Sequence, residues 1–128
     1  MKGFAQQVPP VRNKYLIITT RPDATKNSGR YMVAIDNIIS FIPGSYMSFL
    51  YANGMVVRLN FANETGSSTV LKSGNDNIVS YFTDTITRLL NSTDSTFKVP
   101  YKIPAAVDAL GEQMYVNTIT FCQFTTAC

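Results

Sequence analysis

The strongest constraint on this chain is local. Asn53-Gly54 stands between two β-prone runs, Tyr46 to Ala52 and Met55 to Phe61. A two-residue hairpin loop needs positive φ at both positions, which Asn and Gly tolerate best, so a β-hairpin is predicted here. A two-residue loop sets Ala52 opposite Met55, Leu50 opposite Val57 and Ser48 opposite Leu59. With Tyr46 and Phe61, that side is the predicted core face. The other side presents Met47, Phe49 and Tyr51 across from Asn60, Arg58 and Val56. It is too aromatic for a solvated surface, so a helix, a second sheet or another subunit must cover it.

The other elements follow from periodicity. Tyr15 to Thr20 is β-branched and aromatic and reads as a strand, closed by Arg21-Pro22-Asp23. Tyr31 to Ile42 is extended, with Tyr31, Val33, Ile35, Ile39 and Phe41 on one parity and Asp36-Asn37 as a turn or bulge within it. Residues 62–74 form a polar connection with a short strand at Thr69-Val70-Leu71. One helix is predicted near Asn77 to Asn91, capped by Asn75 or Asp76, with Ile78, Val79, Phe82, Ile86, Leu89 and Leu90 as its apolar stripe. Phe97 to Ile103 alternates but contains Pro100, which cannot donate to a ladder, so it is an edge strand or an arm. Residues 104–112 read as a connection. Tyr115 to Phe124 is apolar on both parities and reads as a central strand, or one covered on both sides.

These elements predict an α+β fold: an antiparallel sheet of about five to seven strands with one amphipathic helix packed on it. The 128 residues suit one domain, residues 14–128, preceded by an extended arm over residues 1–13 in which Pro9 and Pro10 oppose regular structure.

Chemistry is constrained by what is missing. The chain has no His, so a Ser-His-Asp triad, a Cys-His pair and a His-ligated metal are excluded within it. Its acidic residues are scattered among turns and helix ends, and its glycines form no phosphate-cradling loop. No enzyme activity, cofactor or metal is therefore expected. Apolar runs reach about five residues, too short for a bilayer-spanning helix, and the first residues lack a secretory leader's apolar segment, so no membrane partner is expected. Cys122 reads as a small buried hydrophobe and Cys128 as a loose end, a usage that suits a reducing compartment; a disulfide between them is compatible with the spacing but not required by it.

Charged residues are only 15% of the chain, and net charge is +3, unevenly placed. Residues 1–30 hold six basic residues against Asp23 alone, while the rest is weakly acidic. Such an arm reads first as a solvated edge; as a binding element it suits an acidic protein surface, or less well nucleic acid, since it lacks a tight basic cluster. The strand aromatics Tyr46, Phe49, Tyr51, Tyr101 and Phe124 read as core or interface rather than as a base-stacking platform.

The run Tyr15 to Ile18, then Tyr31 to Ile38, then Leu50 to Leu59, followed by a capped helix and a closing aliphatic strand, resembles small, mostly uncharacterised proteins encoded by aquatic tailed bacteriophages. The resemblance covers about three quarters of the chain and carries no catalytic motif. It implies a non-enzymatic virion protein made in the host cytoplasm, a capsid decoration (cement) protein or minor structural subunit. Its expected partners are the viral capsid protein and other copies of itself. A small nucleic-acid-binding module is the alternative. The expected interface comprises Lys2, Phe4, Val8, Pro9, Pro10 and Arg12 of the arm together with Met47, Phe49 and Tyr51 of the hairpin.

Overall fold

In the computed structural model, residues 13–22, 25, 27–42, 46–72 and 76–123 are described. In chain order the elements are β1 (Tyr15–Thr19), β2 (Arg30–Ala34), β3 (Ile38–Ile42), β4 (Met47–Tyr51), β5 (Met55–Ala62), β6 (Ser68–Thr69), α1 (Asp76–Leu90), β7 (Thr96–Val99), β8 (Lys102–Val107) and β9 (Gln113–Gln123). The fold is α+β, and its strands divide between two sheets. The smaller has the order β2-β1-β7, and the larger β3-β4-β5-β9-β8 with β6 on β5. All pairings are antiparallel except β1 with β7. Parallel neighbours need a long crossover, and here it includes the hairpin and the helix.

The hairpin forms where Asn53-Gly54 places it, but one residue out of the predicted register. Phe49 pairs with Val57 and Met47 with Leu59. The loop is three residues, Ala52 to Gly54. Gly54 takes φ +88° and donates its N–H to the Tyr51 carbonyl at 2.9 Å, while Met55 N–H donates to Asn53 Oδ1 at 2.9 Å. Only Gly54 has positive φ there, so this is the longer loop type with a single left-handed position. Side chains alternate with period two, so this shift exchanges the faces. Met47, Phe49 and Tyr51 turn inward with Val57 and Leu59.

The helix covers that face. Ile78, Phe82, Thr85, Ile86 and Leu89 of α1 are buried. The Phe82 ring meets Phe49 edge-on at 5.2 Å, and Phe49 meets Phe41 of β3 at 5.6 Å. Leu90, predicted in the apolar stripe, is 55% exposed at the helix end. Lys14 closes that end: its ammonium donates to the carbonyls of Leu89, Ser92 and Asp94 at 2.7 to 2.8 Å. Those carbonyls lie at and just beyond the helix C-terminus, where the dipole favours a cation. Beside it Tyr15 N–H donates to Ser95 at 2.9 Å, which seats the start of β1 against the end of the helix.

Two corners pass the chain between sheets. At Asp36-Asn37 the predicted turn or bulge is a turn, with Asn37 at φ 67°, and it delivers β2 to one sheet and β3 to the other. At Pro100-Tyr101 the run predicted as one strand breaks into β7 and β8, each an edge of its own sheet. Residues 104–107, predicted as connection, continue β8 despite Pro104, which an edge strand admits. The sheets also meet at an irregularity in β9, where Val116 N–H donates to Tyr101 and its carbonyl accepts from Arg21 N–H. One core runs through both sheets and the helix, including Leu16, Ile18, Val33, Leu59, Val99, Ile103 and Met114.

Candidate functional site

The two sheets separate at one end, around the β2–β3 corner, and a cleft of about 750 Å³ opens there. Small-molecule and peptide sites commonly have this size. On one side stand the start of β1 and the strand β2, with Met32, Val33 and Ala34. On the other stand Tyr51, Met55, Val57 and Phe121 from β4, β5 and β9. Val57 and Phe121 are register partners, so their side chains form one patch. The rim is apolar and accessible: Met32 is 59% exposed and Phe121 47%. Ile39 (63%) and Ile42 (40%) of β3 are also exposed, outside the cleft, and the register puts Ile42 with Ser48 on the sheet face opposite Phe121.

Polar side chains line the cleft as well: Asn13, Tyr15, Asp36, Asn37, Tyr51 and Asn53. The Tyr51 hydroxyl donates to the Ala34 carbonyl and so ties the hairpin to β2. Burial pushes its pKa up to about 12, so the phenol stays protonated and acts as a donor. Among the described residues Asp36 is the one charged side chain lining the cleft, and it accepts a long hydrogen bond of 3.4 Å from Lys14 N–H. One carboxylate and a phenol that stays protonated at neutral pH favour recognition of a neutral or basic group over proton transfer.

A second, smaller hollow lies over β9. The Arg21 guanidinium donates to the carbonyls of Asn63 and Glu64 and lies 5.3 Å from the centre of the Tyr115 ring, which is 5.9 Å from Tyr101. Arg58 stacks on Tyr46 at 4.8 Å. Arg21, Arg58 and the helix-capping Lys14 are thus held by the fold's own carbonyls and rings, which takes three cations out of any continuous basic surface. Among the described residues no group of three or more acids or cysteines is placed to hold a metal, and no helix is long and apolar enough to cross a membrane.

The expected interface residues separate into two sets. Met47 and Phe49 are 0% exposed and Tyr51 is 7% exposed, so as interface residues they are corrected: they belong to the chain's own core, where Phe49 meets Phe82 of α1 and Phe41 of β3 and Tyr51 bonds to Ala34 of β2, and the one-residue shift in the hairpin is the cause. Lys2, Phe4, Val8, Pro9, Pro10 and Arg12 lie outside the described residues. Cys122 is half-buried and disulfide-bonded, not an unpaired hydrophobe, and the chain's one other cysteine, Cys128, lies outside the described residues. Periodicity alone missed Met32 and Phe121 as surface. The available signal was that β2 and β9 carry apolar residues on both parities, more than one shared core can absorb. Comparison with protein-family models, curated proteins and solved structures finds no match to this chain.

Proposed function

We propose that this chain is a non-enzymatic bacteriophage virion protein, a capsid decoration or minor structural subunit that attaches to capsid protein and to other copies of itself. The observation that carries the reading is the apolar cleft rimmed by the exposed Met32 and Phe121, on a chain whose core is otherwise well built. Apolar clefts with exposed apolar rims mark binding sites, and burying one such side chain fully contributes roughly 1.5–3 kcal/mol. The resemblance to small proteins of aquatic tailed phages supplies the virion as the setting, and the low content of charge suits close packing against a shell.

The test is whether the chain is present, at a fixed copy number, in virus particles purified through a density gradient, and whether the purified chain co-sediments with assembled shells. Presence at a defined ratio with loss of shell binding in Phe121→Lys is the expected result. Absence from particles, together with a monomer that ignores shells, overturns the reading. A nucleic-acid role would instead show as binding that falls steeply with salt.

A further inference from the structure

We propose that the cleft takes up an extended peptide segment of a partner protein, which pairs with the outer edge of β2 as an added strand. This rests on the attachment role proposed above and names how attachment is made.

The backbone geometry of β2 leads to it. Ile35 N–H donates to Lys14 and Thr20 N–H to Gly29, which identifies the residue pairs that exchange bonds across β1 and β2. Antiparallel ladders alternate, so Val33 and Tyr31 also face β1, and Arg30, Met32 and Ala34 turn their N–H and C=O outward. β2 ends its sheet. The Ala34 carbonyl is taken by Tyr51, which stops the edge at that end. The Met32 N–H and C=O point outward, and among the described residues nothing engages them. Across the cleft from this edge stand Met55, Val57 and Phe121. A strand laid along Met32 would turn alternate side chains toward that patch, the arrangement by which added strands gain both affinity and selectivity.

The strands at the other ends of the two sheet paths are guarded. β7 carries Lys98, β8 carries Lys102 and Pro104, and β3 has a register shift between Ile38 and Ser40. Charge, proline and irregularity are the usual ways of refusing an extra strand. β2 pairs in unbroken register, and its one charge, Arg30, stands at its first position. Asp36, the charged group of the cleft, selects the occupant: a neutral or basic segment with apolar residues at alternate positions and no proline opposite Met32.

The probe is a capped peptide, Thr-Val-Lys-Val-Thr-Val, titrated into the full-length chain labelled with nitrogen-15. Saturable shifts at the amides of Met32, Val57 and Phe121 are expected. N-methylation of the peptide amides that face the edge should weaken binding by about tenfold, the effect of two lost ladder hydrogen bonds. Met32→Pro should do the same with the helix signal of the protein intact. The N-methylated peptide tests the ladder even if that variant fails to fold. Shifts confined to another surface, or equal binding of the N-methylated peptide, overturn the proposal. So does a wild-type chain that dimerises through this edge, because the occupant is then a second copy. Met32→Pro protein that still joins virus particles sinks strand addition and leaves the attachment role standing. Peptide binding by a chain absent from particles does the reverse.

Discussion

The two edge strands β2 and β8 are of similar length and each sits at the end of its sheet, but they meet solvent differently. β8 has Lys102 and Pro104, α1 packs against it, and Lys72 N–H closes on its last carbonyl at 3.0 Å. β2 has a cleft beside it and an exposed Met32. An edge costs a small fold nothing if it is blocked, and an unblocked edge flanked by apolar side chains invites a partner. Within one domain the two solutions coexist, so the openness of β2 is not a general property of how this chain builds strands.

Perturbations can break or sharpen that contrast. The largest effect is expected from Phe82→Ala, which removes the ring that seats α1 over the hairpin and β8. A loss of about 3–5 kcal/mol is expected for such a buried aromatic, read as a lower urea midpoint. The variant should also self-associate, because the guard over β8 loosens.

Lys14→Met comes next. It leaves the three carbonyls at the end of α1 without their ammonium, at a cost of about 2 kcal/mol, and amide exchange should quicken first in the last turn of the helix.

Alkaline pH acts on β2 itself. Burial raises the Tyr51 pKa to about 12 from its ordinary value of 10.0, so the folded state favours the protonated phenol. The stability this provides is complete below pH 10 and is lost as pH rises from 10 to 12. Tyr81 shifts in the same direction, chiefly by burial. Urea midpoints measured across this range should fall in the wild type and fall less in Tyr51→Phe. That variant starts lower at neutral pH by about 1 kcal/mol for its lost hydrogen bond to Ala34.

The smallest effect on stability belongs to Met32→Lys. The side chain is exposed, so the urea midpoint should move by less than about 0.5 kcal/mol. The edge then resembles β8, and strand binding should weaken. A large drop in stability would mean that Met32 is part of the core, which would dissolve the contrast.

Much of this was legible beforehand because it depends on local chemistry. The Asn53-Gly54 turn, the helix stripe through Ile78, Phe82, Ile86 and Leu89 and the corner at Asp36-Asn37 each follow from a few neighbouring residues. The candidate site was not legible in the same way. Its walls come from β2, β4, β5 and β9, and Met32 and Phe121 are far apart in the chain. The hairpin face was misread by one residue, because Asn-Gly fits loops of more than one length and each length gives a different face.

The amino-acid sequence by itself determined the α+β class, the positions of the hairpin and helix, and the exclusion of histidine chemistry, since these rest on composition, turn preferences and periodicity. Only the tertiary structure decided which hairpin face is buried and which sheet edge stays open. A strand has two apolar faces and two edges until something packs on one of them. Here Phe82 fell against Phe49, and the corner at Asp36-Asn37 carried the chain into the other sheet, leaving the outward edge of Met32 unpaired among the described residues.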